Sequence, residues 1–81
     1  MIPITELLNK IRWDNNLKEQ DFTIGYKHND KIIKIPYNEV EMTDKFSFTC
    51  IQHNKRTDIP FHRIRIVWQN DKIFWQRPVE N

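Results

Sequence analysis

Eighty-one residues are enough for one domain and too few for two, so the chain is expected to form a single unit over residues 1–81. It is 38% hydrophobic and 30% charged, a globular balance that excludes a disordered segment. Its formal net charge of +2 is too slight for a protein that coats nucleic acid by charge alone. A core this small has to be efficient, and three Trp, five Phe and two Tyr supply it. Each such ring removes roughly 150–250 Å² from water. The single cysteine, Cys50, excludes an internal disulfide framework, and its apolar alternation predicts a buried structural thiol.

Taken in chain order, Ile4, Leu7, Leu8 and Ile11 fall at i, i+3, i+4 and i+7. That spacing predicts an amphipathic helix from Pro3 to Arg12. Pro3 suits the first turn, Glu6 the positive end and Lys10 with Arg12 the negative end. Asp14-Asn15-Asn16 breaks the helix, and Leu17 to Asp21 reads as loop. Trp13 at the helix end is expected to close a core. The N-terminal run MIPITELLNKIRW lacks the charged segment and continuous apolar stretch of a secretion signal, and no stretch reaches membrane-spanning length. A cytoplasmic protein is expected.

From Phe22 the period becomes two. Phe22, Ile24 and Tyr26 alternate with Thr23, Gly25 and Lys27, and Asn29-Asp30 is a turn signal before Ile32–Ile35. With a two-residue turn, Tyr26 faces Ile33 and Ile24 faces Ile35 on an apolar face, with Lys27 and Lys34 on the other. Pro36 ends the second strand. Gly25 inside a strand marks a bulge or a close backbone approach. Residues 37–44 read as a loop or a short extra element. Phe46, Phe48 and Cys50 form a third strand, and His53-Asn54-Lys55-Arg56 a turn. Ile59-Pro60 marks an edge or a strand start. In the last hairpin Ile64, Ile66 and Trp68 form the apolar face, with Arg63, Arg65, Val67, Phe74 and Gln76 opposite. A two-residue Asn70-Asp71 turn pairs Trp68 with Ile73, Ile66 with Trp75 and Ile64 with Arg77. The fold is therefore expected to be α+β, one N-terminal helix on an antiparallel sheet of four to five strands, with a barrel-like form within its range.

The three histidines, His28, His53 and His62, fit no two-histidine phosphoesterase pattern, and neither Cys pairs nor closely spaced His suggest a zinc site. Walker, GxGxxG and nucleophile-elbow motifs are missing. No enzyme, metal or cofactor is expected. The Lys and Arg residues concentrate in the final third, at Lys55, Arg56, Arg63, Arg65, Lys72 and Arg77. The run from Ile59 to Arg65 sets His62, Arg63 and Arg65 close together after a rigid turn, a set suited to phosphate, with Phe61 or Tyr26 beside it to stack a base. On spacing alone the same run is equally a sheet edge with ordinary surface cations. Asp14 is expected to cap a turn or to pair with Arg77, which the hairpin register places at the end of the apolar face.

Four motifs now stand in order: Ile11-Arg12-Trp13-Asp14, Phe22-Thr23-Ile24-Gly25-Tyr26, Ile59-Pro60-Phe61-His62-Arg63-Ile64 and Trp75-Gln76-Arg77. Together they resemble the RNA cyclic-group end recognition domain, a small family best represented in archaea. The resemblance implies a non-catalytic module that binds RNA 3′ ends bearing a 2′,3′-cyclic phosphate, in RNA repair, processing or decay. Relatives of that family are fused to RNA-repair or phosphoesterase-like domains, and for this stand-alone chain such a partner is expected in trans. It also marks Tyr26, His62 and Arg63 as polar motif positions and Trp13, Asp14, Trp75 and Arg77 as further matches. Two positions depart from the family pattern: Lys27-His28-Asn29 stands where an acid and an Arg are usual, and Gln76 where an Asp is usual. Lys27 or His28 is then expected to replace the missing Arg at the RNA. The alternative readings are a protein-interaction adaptor acting with an RNA-processing enzyme, through a sheet edge or exposed Phe61 or Phe74, and, after it, a small phosphoesterase.

Overall fold

The apolar stripe of the first segment becomes α1 (Ile4–Trp13), and all four stripe residues are buried. The computed structural model describes residues 2–42, 46–52 and 54–78, so the His53 position of the expected turn lies outside the described residues. Pro3 accepts from the Leu7 backbone N–H at 3.1 Å. Asp14 ends the helix, and its carboxylate Oδ1 accepts from the Asn16 N–H at 2.9 Å, which makes it a turn cap. Trp13 does not close the core: it is 76% exposed. It follows Ile11 by two positions, about 200° round the helix, so the stripe that buries Ile11 turns Trp13 to solvent.

Among the described residues seven strands follow: β1 (Phe22–His28), β2 (Lys31–Pro36), β3 (Val40–Glu41), β4 (Ser47–Gln52), β5 (Lys55–Pro60), β6 (Ile64–Gln69) and β7 (Lys72–Gln76). They form two antiparallel sheets, ordered β2-β1-β6-β7 and β3-β4-β5. The α+β class is as expected; the strands are divided between two sheets, and neither closes into a barrel. Short 3-10 turns at Glu19–Asp21, Tyr37–Glu39 and Phe61–Arg63 join the pieces. The first hairpin has the expected register, with Tyr26 opposite Ile33 and Ile24 opposite Ile35. Asn29 and Asp30 both take positive φ, as a two-residue primed turn requires.

The strand β5 is a correction. Of the expected turn, Asn54 does turn the chain, with positive φ, but Lys55 and Arg56 already belong to a paired strand, and Ile59-Pro60 ends that strand where a start or an edge was expected. Only Ile59 is buried, so this sheet-edge strand has no apolar alternation to show.

The last hairpin departs further. Trp68 does pair with Ile73, but Val67 pairs with Trp75 and Ile66 with Gln76. Bulges interrupt the ladders at Gly25/Tyr26 and at Val67/Trp68. Each extra residue inverts the face that follows it. Ile64 and Val67 are therefore both buried, while Ile66 and Trp68 turn outward. Phe74 reaches Phe22 edge to face at 5.1 Å, and Trp75 enters the core.

Buried aromatics join the two sheets. Phe48 of β4 lies edge to face with Tyr26 at 6.2 Å and stacks on Phe61 at 6.0 Å. The Trp75 indole donates to the Ile2 carbonyl at 3.0 Å, tying β7 to the start of α1. Cys50 is buried, and burial pushes its thiol pKa up.

The Tyr37 hydroxyl donates to the Leu8 carbonyl at 2.7 Å and holds the helix to the second strand's exit. Its pKa is pushed up to about 12, first by burial and then by Glu19, against the opposing pull of Arg12. The folded state thus disfavours the phenolate. This contribution to stability is complete below the ordinary value of 10.0 and is lost as pH rises through about 12. Tyr37→Phe is expected to cost about 1 kcal/mol near neutral pH. Urea midpoints between pH 8 and pH 12 check it: wild type should lose its advantage over the variant across that window, and parallel curves would refute the assignment.

Candidate functional site

Lys27 and His28 are the last two residues of β1, and alternation plus the approaching turn leave both exposed. His62 and Arg63 stand in the 3-10 turn Phe61–Arg63, whose Phe61 ring is buried while the two polar side chains face solvent. Arg65 follows at the bulge: Gly25 opposes Ile66 and Tyr26 opposes Ile64, so Arg65 is the extra residue between them. Because β1 and β6 are neighbours, the end of one strand meets the start of the other. Lys27, His28, His62, Arg63 and Arg65 consequently line one open cleft of about 410 Å³, with Asn29 and Asp30 as its outer wall.

A second cleft of about 680 Å³ continues from it, sharing Lys27, His62 and Arg65 and extending past Ile32 and Ile66 to Gln76 and Arg77. Among the described residues that line this joined surface, Lys27, Arg63, Arg65 and Arg77 are cations and Asp30 is the one carboxylate. Lys27 and Asp30 approach only to 4.0 Å, with the lysine half exposed and the carboxylate in solvent, so this pair is weak. Arg65 donates through Nη1 to the His62 carbonyl, which fixes the turn relative to the strand. The His28 ring nitrogen Nε2 lies 3.4 Å from the Asn29 amide nitrogen.

Arg77 is held differently from expectation. It makes no pair with Asp14. Its Nε donates to the Ile64 carbonyl at 2.9 Å, its Nη2 to the Phe61 carbonyl at 3.4 Å, and its guanidinium lies over the Trp75 ring at 5.3 Å. Arg77 therefore ties the chain after β7 to the turn that carries His62 and Arg63. Carbonyl oxygens satisfy it where a carboxylate was expected, and it stays on the Trp75 side of the last strand, packed against that ring. Asp14 lies elsewhere, in a hollow with Trp13, Glu6, Asn9 and Lys10.

Five of the six expected RNA-binding residues thus share one surface, and Tyr26 does not. Its ring is 2% exposed and faces Phe48, so it offers no face to a base. Phe61 is likewise buried against Phe48 and is excluded both as a stacking ring and as an exposed docking residue. The lining by Arg77, Gln76, Ile32 and Ile66 was missed. Its signal lay in two dimensions, since it needs β1, β2, β6 and β7 side by side and the bulges that turn Ile66 outward. Donors dominate the clefts, so the arrangement suits an anion with several acceptor oxygens. Among the described residues no group of three His, Cys, Asp or Glu side chains gathers as a metal site requires.

Comparison with known proteins places the whole fold in a family. The family model described as the MJ1316 RNA cyclic group end recognition domain matches residues 1–77. A UPF0248 protein of Thermococcus kodakarensis is 30% identical over 77 residues, covering 90% of this chain and 89% of the relative. A UPF0248 protein of Pyrococcus abyssi is 30% identical over 77 residues, covering 90% and 87%. One of Thermococcus sibiricus is 31% identical over 78 residues, covering 91% and 84%. No solved structure matches the chain. With the family model spanning the helix, both sheets and every charged residue of the joined cleft, the chain belongs to the MJ1316 RNA cyclic group end recognition domain family.

Proposed function

We propose that this protein binds the phosphorylated 3′ end of an RNA strand, with a 2′,3′-cyclic phosphate as the preferred end, and does not cleave it. The observation that carries the reading is the gathering of Lys27, His28, His62, Arg63 and Arg65 in one cleft. A cyclic phosphate is a monoanion that has lost its 2′-hydroxyl donor, so it offers acceptors only. A cleft lined mainly by donors complements it. Arg63 and Arg65 supply forked contacts, Lys27 a point charge, and His62 and His28 further ring N–H donors. The setting is RNA repair, processing or decay in the cytoplasm, and a phosphoesterase or repair enzyme acts in trans on the end that this domain holds.

The test is a fluorescence-anisotropy titration of one RNA sequence ending in cyclic phosphate, 3′-phosphate or hydroxyl. The cyclic end should bind tightest, and equal affinity for all three would overturn end recognition. Each of Arg63→Ala and Arg65→Ala is expected to weaken binding about tenfold, equivalent to about 1.4 kcal/mol, and to lower the slope of log affinity against log salt by about one for each phosphate no longer neutralised. Incubation with cyclic-ended RNA should leave the ring intact; ring opening would make the protein a phosphoesterase.

A second reading, a protein adaptor, draws on the exposed Trp13 beside its hollow on α1. It predicts that Trp13→Ala abolishes association with an RNA-processing enzyme while the RNA titration stays as in wild type.

A further inference from the structure

The four-stranded sheet has a second face, turned away from the core, that the end cleft uses only at its margin. Trp68 lies there against the backbone of β1: a Cβ at Gly25 would sit 2.7 Å from its Cζ3 and 2.8 Å from its Cη2. The Lys34 ammonium is 4.8 Å from the centre of the indole. Ile32 and Ile73 flank it, 44% and 58% exposed. Ile32 and Ile66 also line the larger cleft, so this surface is continuous with Lys27 and Arg65. The strand positions turned to this face carry no carboxylate among the described residues.

We propose that this face is a stacking platform for the nucleotides immediately upstream of the bound RNA end. An indole and isoleucines edged by the exposed cations Lys27 and Lys34 match the alternation of bases and phosphates in a single strand. A protein partner of ordinary composition would leave Lys27 and Lys34 without complementary charge. From Lys27 to Thr23 the platform extends about 13 Å along β1, at the usual strand rise, which is room for a short run of unpaired nucleotides. A base over Trp68 displaces the Lys34 ammonium from the ring and sends it to a neighbouring phosphate. The direction of the strand rests on the end-binding reading; the stacking surface stands without it.

The experiment compares a nucleoside 2′,3′-cyclic monophosphate with a pentanucleotide of unpaired RNA ending in the same group. The full chain should bind the pentanucleotide at least about tenfold more tightly, the scale of one stacked base. Trp68→Leu keeps bulk over Gly25 and should remove that gain. Ile32→Glu, at an exposed position, should remove it too by placing a carboxylate on the platform. Equal affinity for the two ligands in wild type overturns the platform. So does a Trp68→Leu variant that retains its thermal transition and the whole tenfold gain. If the mononucleotide fails to bind but the pentanucleotide binds and depends on Trp68, end recognition falls and the platform remains.

Discussion

Phe48→Ala should lower the stability of this domain by about 3–5 kcal/mol, the usual cost of emptying a buried aromatic site. Phe48 is fully buried and is held from two sides, by Tyr26 of β1 and by Phe61 at the start of the last 3-10 turn. A small domain has only about 5–15 kcal/mol in total, so the variant should sit close to its unfolding threshold. The same two contacts give Phe48 a role at the cleft. Tyr26 precedes Lys27 and His28, and Phe61 precedes His62 and Arg63. The ring is thus a wedge from the three-stranded sheet beneath both segments that carry the cations. Urea denaturation measures the loss, with Ile51→Ala on the same strand as the control. Ile51 is exposed, and its truncation should change stability by no more than about 0.5 kcal/mol. If the two variants cost the same, the wedge is misplaced. RNA-end binding by Phe48→Ala, measured at low temperature where it is still folded, should also be weaker than wild type.

Tyr26 shows how the sequence both informs and misleads. The alternation Phe22, Ile24, Tyr26 places all three side chains on one face, and that face is the core. The register that set Tyr26 opposite Ile33 therefore already argued against a role for its ring at RNA. By the same alternation Lys27 had to point outward, and it lies in the cleft. Helix α1 and the first hairpin were legible because their periods are uninterrupted and their turn residues fit the turn. β6 was legible only in part: Gly25 marked the irregularity at Gly25/Tyr26 and the close approach of Trp68, but no residue of β6 marks where its extra residue falls, and one extra residue exchanges the two faces. That exchange accounts for Val67, Ile66 and Trp68 together. β5 was hidden for a different reason: an exposed edge strand is chosen by its partner β4 and not by its own hydrophobicity. The cleft itself joins residues far apart in the chain, and only the adjacency of β1 and β6 makes Lys27 a neighbour of Arg65.

Gly25→Ala should destabilise the fold by about 1–3 kcal/mol, and Trp68 should be the reason. The added methyl would meet the indole at 2.7 and 2.8 Å and the Ile32 methyl at 3.0 Å, too close on two sides for either to stay in place. Backbone freedom is not what the position requires, since no glycine here has a positive φ. Relief of backbone entropy favours alanine in a strand by about 0.5–1 kcal/mol, so the sign of the change depends on the clash. A double-mutant cycle separates the two effects. In a Trp68→Ala background only the exposed Ile32 methyl, at 3.0 Å, still has to give way, and Gly25→Ala should cost far less or become neutral. The coupling energy between the sites should then be about 1–3 kcal/mol, measured from the urea midpoints of the four chains. Simple additivity would mean that the strand, and not the indole, rejects a side chain at residue 25. The coupling also carries to function. Gly25→Ala lifts the indole from its seat without touching Lys27, His62 or Arg65, so it should weaken a cyclic-ended pentanucleotide while the cyclic mononucleotide binds as before.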